Sequence, residues 1–487
     1  MSLSTFIKRM RDITRLDQGI NGDAQRIEQL TWMLFLKIYD DREYDWEAFD
    51  DDYESIIPEP CRWRNWADTV NDTALKGDAL ISFVDGTLLP TLKDLSIPAG
   101  CPLRKSIVKT VFTDIHNFMK DGVLLRQLIS EINECDFNDP REAHAFGSIY
   151  ESILKLLQSA GSSGEFYTPR ALTDFMARHV ELKLGDRVAD FACGTGGFLN
   201  SAREVLSDSA RTVEQRELLS RSFYGTEKKP LPYLLCVTNL LLHGVDEPLI
   251  TYGNSLAKNT GDYTENDKFD VILMNPPYGG SEQPVIQQNF PGNMRSAETA
   301  DLFIILIMTR LRATGRAAVV IPDGFLFGGG NKAEIKKELL HHFNLHTVLR
   351  LPGSVFSPYT SIATNVLFFN GTGPTKETWF YRVDMPEGYK HFSKTRPMLP
   401  EHFAALDAWW NHRVPLEENG ADKARCYSAG ELEERNFNFD LCGFPQEEEE
   451  ILPPEELIAR YQAERARHLK VMDDALDHIL SMIGGRA

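Results

Sequence analysis

Apolar residues along this chain change their spacing twice. In the early part they recur every three or four positions. Ile27, Leu30, Met33, Leu34 and Ile38, with Arg26, Glu28 and Lys37 between them, form one face of an amphipathic helix. Ile107, Val111, Ile115 and Phe118 repeat the pattern and predict a second helix. Ser159-Ala160-Gly161-Ser162-Ser163-Gly164 then reads as a flexible linker by composition. Beyond it, short β-branched or apolar runs at 187–190, 271–274, 317–321 and 364–369 alternate with helical stretches, which predicts a parallel sheet flanked by helices. From 416 the chain turns acidic, with Glu447 to Glu450 in a row, and Pro453-Pro454 reads as a helix start. Leu469, Met472, Leu476, Ile479 and Ile483 then step by 3, 4, 3 and 4, a short a/d seam.

The expected organisation is a helical domain over 1–160, an α/β domain over 161–415 and an acidic, helical tail over 416–487. The first segment carries no catalytic constellation and reads as a packing or partner-binding domain. The terminal helix reads either as docked on its own domain or as packing on a partner subunit.

Composition adds one constraint. The 487 residues accommodate about three domains at ~150 residues each, and a hydrophobic fraction of 42% suffices for ordinary cores. The formal net charge of −19 matters more. Such a chain repels free DNA on average, so a DNA substrate needs a partner or a local basic groove to hold its phosphates. The seven cysteines are scattered with no C-x-x-C pair, which argues against a zinc site and suits a reducing compartment. The amino terminus lacks the apolar core of a signal peptide. No run approaches the ~20 apolar residues of a membrane span. The expected location is cytoplasmic.

The chemistry concentrates in two motifs, 275 − 190 = 85 residues apart. Asp190 closes a predicted strand, and Phe191-Ala192-Cys193-Gly194-Thr195-Gly196-Gly197-Phe198 follows at once. Gly194, Gly196 and Gly197 permit tight turns and close backbone approach at the place where open α/β sheets bind ligands. The final glycine of the dinucleotide pattern G-x-G-x-x-G is missing, so the loop suits a cofactor without a pyrophosphate, such as S-adenosylmethionine. Glu227 ends a second predicted strand and supplies an acid for ribose hydroxyls. Upstream, Glu165-Phe166-Tyr167-Thr168-Pro169-Arg170 reads as a helix start, with Thr168 as N-cap and Pro169 in the first turn. A helix N-terminus there can hold the cofactor carboxylate.

The second motif is Asn275-Pro276-Pro277-Tyr278, placed after the run Val271-Ile272-Leu273-Met274. An exocyclic aromatic amine is a poor nucleophile because its lone pair is delocalised. Two acceptors aimed at its N–H bonds favour the pyramidal nitrogen that attacks a methyl group. Asn275 Oδ1 and the Pro276 carbonyl can serve. The prolines stiffen the turn and bring no competing N–H, and Tyr278 offers a ring on which a base can stack. A cytosine-C5 methyltransferase instead needs a nucleophilic cysteine. The Pro60-Cys61 pair lies in the helical segment, before the cofactor motif, and reads as structural.

With these residues in place, the chain resembles the modification (methyltransferase) subunit of type I restriction–modification systems over nearly its whole length. The cofactor-binding segment matches 165–170, the S-adenosylmethionine loop 190–198, the ribose acid Glu227 and the catalytic Asn-Pro-Pro-aromatic motif 275–278. Further matches are 315–322, Leu349-Arg350-Leu351-Pro352, 364–369 and Asn438-Phe439-Asp440. The order of motifs is that of the γ-class amino methyltransferases. The resemblance implies a Rossmann-like class I S-adenosylmethionine-dependent methyltransferase domain that methylates adenine N6 in duplex DNA. It also implies assembly of two modification subunits with one specificity subunit, joined by restriction subunits for cleavage. Asn254 stands where many adenine methyltransferases place an acid near the cofactor adenine, and it can still accept from that amine. Tyr278 replaces the phenylalanine of some relatives.

The polar stretch from Ser281 to Ser296 is expected to be mobile and to close over a flipped base. The competing readings are methylation of glutamine in a translation factor, methylation of RNA, and a non-catalytic scaffold that keeps the fold.

Overall fold

The computed structural model describes residues 3–67, 74–135, 137, 167–357, 360, 362–393, 395–418, 420–445 and 454–484. The linker at 159–164, Glu165 and Phe166 lie outside them. Residues Met1–Gly443 form one compact unit and Phe444–Ala487 a second.

The helical front is built around α2 (Asp23–Phe49), preceded by α1 (Leu3–Leu16) and followed by α3 (Leu103–Phe112) and α4 (Gly122–Asn133). The repeat Ile27, Leu30, Met33, Leu34, Ile38 is buried, with Trp32, Phe35 and Tyr39 beside it. Each such side chain contributes about 1.5–3 kcal/mol relative to exposure. The expected continuation of α3 through Ile115 and Phe118 does not form. The helix stops at Phe112, and the chain crosses back to α1 and α2 instead. Buried Asp17 accepts the amides of Lys120 and Asp121 at 3.1 and 3.0 Å, and Gln29 Oε1 accepts that of Phe118 at 2.9 Å. Those partners satisfy the backbone that a helix would otherwise satisfy. Ile115 is still fully buried.

The α/β part contains one ten-stranded sheet in the order β3-β2-β1-β4-β5-β7-β6-β8-β10-β9. The strands are β1 (Val188–Asp190), β2 (Phe223–Glu227), β3 (Leu249–Tyr252), β4 (Phe269–Met274), β5 (Leu311–Pro322), β6 (Asn344–Arg350), β7 (Thr364–Asn370), β8 (Glu377–Arg382), β9 (Leu416–Glu418) and β10 (Ala421–Ser428). Its first half is parallel as expected, from β3 through β5. Its second half is mixed. β7 lies antiparallel between β5 and β6, and β10 runs antiparallel to β8 and β9. The sheet therefore continues past the boundary expected at 415, and residues 416–428 complete its far edge.

The helices that frame the site are α5 (Arg170–His179), α6 (Gly197–Ser207), α7 (Pro230–Leu242), α8 (Thr299–Arg310) and α9 (Asn331–His342). The helical front joins this part through α2 and α7, where Arg42 of α2 donates to the Leu241 carbonyl at 3.3 Å. In the second unit, α10 (Pro454–Gly484) carries Leu469, Met472 and Leu476 at 48%, 66% and 55% exposure. Among the described residues no helix is long and apolar enough to cross a membrane.

Candidate active site at the carboxyl edge of the sheet

Strand order fixes where a ligand can sit. From β1 the chain builds β2 and β3 on one side, then crosses to β4 and β5 on the other. The crevice beyond β1 and β4 is the topological switch point at which such sheets bind ligands. β1 and β4 are in parallel register, with Val188 beside Val271 and Ala189 beside Ile272. Motifs separated by 85 residues in sequence thus leave the sheet side by side.

The glycine loop is held at each backbone turn. Gly194 and Gly196 take φ of 54° and 80°, the left-handed region open to glycine. A Cβ at Gly196 would also lie 2.9 Å from Cys236 Sγ, whereas one at Gly194 would meet nothing within 4 Å. The loop is therefore tight on the protein side and open on the other. Gly196 is the N-cap of α6, which starts at Gly197. Glu227, at the end of β2, accepts the Gly194 amide at 2.9 Å and the Lys229 amide at 2.8 Å. Each carboxylate oxygen keeps acceptor capacity for a hydroxyl. Asn239 of α7 donates to the Thr195 carbonyl at 3.2 Å. Asp190 is 1% exposed and accepts the Ala192 amide at 3.0 Å. Burial pushes its carboxyl up to about 8; the Ala192 amide opposes the rise and the Glu227 charge adds to it.

A ligand with a diol and a cation fits this donor set. Glu227 is fixed against the loop with acceptor capacity left over, and Asp190 is a buried acid without a cationic partner among its electrostatic neighbours.

The Asn275–Tyr278 turn is closed on itself. Asn275 is half-buried after β4, and its Nδ2 donates to Thr168 Oγ1 at 2.9 Å. Its Oδ1 accepts from the Tyr278 hydroxyl. The Tyr278 ring is 7% exposed and packs edge-on against Phe356 with centroids 6.2 Å apart. Burial holds its hydroxyl well above the usual range, so it remains a donor. The acceptor expected for an incoming amine and the ring expected for stacking are thus engaged with each other.

Several expected residues sit differently. Thr168 is not the N-cap of α5; Pro169 occupies that position with no side-chain cap, and Thr168 tethers Asn275. Arg170 pairs with Asp174 within α5 at 3.2 Å and braces α5 on α6 through Glu204 at 2.8 Å and the Gly197 carbonyl at 3.5 Å. Phe198 is a core residue at 3% exposure. Asn254 caps the short turn Ser255–Ala257, its Oδ1 accepting the Leu256 amide at 3.0 Å. Tyr167 is half-buried against the core.

The stretch from Ser281 to Ser296, expected to be mobile and to close over a base, has local structure of its own. It forms a helical turn at Pro284–Gln287 and a bridge from Ser281 to Glu298, and it buries Phe290 and Met294. Asn289 binds the carbonyls of Leu256 and Ala257 at 3.0 and 2.9 Å.

Reading the sequence overlooked Phe356, Asn239 and Cys236, which carry no local chemical pattern. It also left Arg350 without a role. Buried Arg350 pairs with Asp323, one residue past the matching stretch 315–322, at 2.9 Å and with Asp440 at 2.7 Å, so that it joins the segments 349–352 and 438–440.

Two family models cover the chain: an N-6 DNA methylase model matches residues 141–451, and an HsdM N-terminal domain model matches residues 3–132. The methylase subunit of the Escherichia coli type I restriction enzyme EcoEI is 46% identical, over 100% of this chain and 99% of its own length. A modification subunit assigned to a type I restriction enzyme of Vibrio vulnificus superposes with a TM-score of 0.77 at 42% identity, covering 88% of this chain and 92% of that one. A chain from a structure of type I restriction–modification complex assembly superposes with a TM-score of 0.81 at 34% identity, covering 98% of each. The chain therefore belongs to the N-6 DNA methylase family, among the methylase subunits of type I restriction enzymes, which are adenine-specific DNA methyltransferases with the Rossmann-like class I fold.

Proposed function

We propose that this chain transfers a methyl group from S-adenosylmethionine to N6 of an adenine in a specific duplex DNA sequence. It does so as the modification subunit of a type I complex, with the base flipped out of the stack. The observation that carries the reading is the placement of Asn275, tethered by Thr168 on one side and two residues beyond the level of the glycine-loop strand on the other.

Glu227 holds the ribose hydroxyls. Asp190 and the glycine loop (Gly194, Thr195, Gly196, Gly197) hold the amino-acid end, with the segment from Tyr167 to Pro169 closing the crevice beside them. When bound, the cofactor supplies a methyl group already activated on a sulfonium, so no covalent enzyme intermediate is needed. Asn275 Oδ1 and the Pro276 carbonyl accept the two N6 hydrogens. They favour the pyramidal amine and stabilise the positive charge that develops as its lone pair forms the new C–N bond. The amine then loses a proton to solvent.

Thr168 keeps the Asn275 amide turned with its oxygen toward the base. As the adenine arrives, its N6–H takes the place of the Tyr278 hydroxyl on Oδ1, and the freed ring stacks on the base. Unpairing and unstacking the adenine costs a few kcal/mol, which contacts to the complex must offset. A chain with a charge of −19 cannot supply all the phosphate contacts alone. Two copies with one specificity subunit, which reads the sequence, meet that need. Restriction subunits join for cleavage, and methylation at the site marks host DNA against it.

The test is transfer of labelled methyl to DNA, with and without the specificity subunit. N6-methyladenine formed only with that subunit present is the expected result. Methylation by this chain alone would overturn the division of labour. Absence of methyladenine with both present would overturn the reading itself.

A further inference from the structure

We propose that Phe327 is a wedge that enters the DNA stack beside the flipped adenine; this rests on the base-flipping reading above. Phe327 follows β5 and is 56% exposed, while its neighbours Phe325 and Leu326 are buried at 1% and 0%. Its backbone is fixed on both sides by a buried cation. Lys336 of α9, itself 0% exposed, donates from Nζ to the Leu326 carbonyl at 2.7 Å and the Gly328 carbonyl at 3.0 Å. Burial lowers this ammonium to about 8. Placing a charged group in the interior to grip the two carbonyls flanking an exposed ring is costly. The cost is understandable if the ring must be presented in one place.

The residues that follow fit an approaching partner. A Cβ at Gly328 would lie 2.2 Å from Lys332 Cδ and 2.8 Å from the Gly324 carbonyl, so that glycine is required by packing. A Cβ at Gly329 would meet nothing within 4 Å, and its φ is not in the left-handed region. Nothing within the chain demands glycine there, and a bare backbone suits close approach from outside.

Position favours DNA as that partner. β5 is the parallel neighbour of β4, with Met274 beside Val319. The helical turn Asp323–Phe327 that follows β5 therefore leaves the same edge of the sheet as Asn275. Asn331 Nδ2, at the start of α9 a few residues on, bonds to the carbonyl of Arg295, an exposed residue in the stretch after the Asn275–Tyr278 turn. A duplex that delivers adenine to Asn275 lies across this edge, where an exposed ring can fill or prise open the step.

The test uses the full chain assembled with its specificity subunit and a duplex carrying the site mapped from wild-type methylation. A second duplex has the target adenine opposite an abasic position, so that it is already unpaired. Phe327→Ala is expected to slow methylation of the paired duplex about 10-fold to 100-fold, the range for losing one base–aromatic stack. It should approach the wild-type rate on the unpaired duplex and bind S-adenosylmethionine normally. Phe327→Trp is expected to restore the paired-duplex rate. Wild-type speed of Phe327→Ala on the paired duplex, or an equal loss on both, overturns the wedge. Failure of the variant to assemble also overturns it, and assigns the ring to the specificity subunit instead. Failure of the wild-type complex to methylate either duplex overturns the functional reading beneath it.

Discussion

The two loops that meet at the crevice are prepared to different degrees. The loop after β1 is complete without a ligand. Gly194 is held by Glu227, Thr195 by Asn239, and Gly196 is packed on Cys236, while the side toward the crevice stays open. The loop after β4 is satisfied internally. Asn275 is bound by Thr168 and Tyr278, and the Tyr278 ring is buried on Phe356. On the proposed reading a cofactor meets a formed cradle, whereas a base must exchange one set of contacts for another. This asymmetry suits an enzyme that holds a small, constant cofactor and admits a nucleotide only when DNA delivers it.

The largest expected effect comes from removing the acceptor in the second loop. Asn275→Ala should lower the single-turnover rate by ~10²–10³, about 3–4 kcal/mol, by analogy with loss of one preorganised hydrogen-bonding group. Calorimetry should find cofactor affinity unchanged. If affinity falls as far as the rate, the two loops are not separable and the comparison fails. Next in size is Glu227→Gln, which weakens the hold on Gly194 and on a diol. Loss of hydrogen bonds to a charged group, worth about 1.5–3 kcal/mol, should weaken cofactor binding roughly 10-fold to 100-fold. The rate at saturating cofactor should be retained; a lost rate with intact affinity would reverse the assignment.

Asp190 gives the first loop a pH dependence. Its carboxyl is pushed up to about 8, chiefly by burial. A cationic ammonium prefers the ionised form, so binding pulls the group's pKa down and releases a proton below that value. Affinity should therefore rise with pH, by up to about 10-fold per unit below 8, and level off above it. Calorimetry at pH 7 in buffers of different ionisation heat should detect the released proton. Identical apparent heats would remove Asp190 from the site.

What could be read in the sequence was what neighbouring residues specify among themselves. The glycine loop, Glu227 and the Asn-Pro-Pro-Tyr turn were legible because strand, turn and chemistry follow one another in a few positions. The helix from Ile27 to Ile38 was legible from the period of its apolar residues, although burial extends beyond that face to nearly every position from Arg26 to Asp40. Long-range contacts were not. The helix expected through Ile115 and Phe118 loses to Asp17 and Gln29, about a hundred residues away in sequence. Thr168 has the composition of a cap, yet its hydroxyl serves a side chain 107 positions on. The strands at 416–418 and 421–428 were hidden because the edge strand β9 and its neighbour β10 are largely solvated and polar, and their charge reads as a tail. The Ser281 to Ser296 stretch is polar in composition but is pinned by Asn289 to a turn that periodicity cannot place beside it.

The smallest effect is the most discriminating for the comparison. Tyr278→Phe keeps the ring and its packing on Phe356 but removes the hydroxyl that occupies Asn275 Oδ1. If that hydroxyl only supports the active geometry, its loss should lower the rate. If it holds the second loop closed, its loss leaves Oδ1 short of a partner in the resting state and makes an incoming N6–H more favourable. A neutral hydrogen bond is worth about 0.5–1.5 kcal/mol net, so the KM for DNA should fall by roughly 2-fold to 10-fold with the single-turnover rate unchanged. Cofactor affinity should not move, because the hydroxyl removed is the one bonded to Asn275 in the loop after β4. A lower rate at unchanged KM would mean that the loop after β4 is as prepared as the loop after β1, with the Tyr278 hydroxyl a working part of the site.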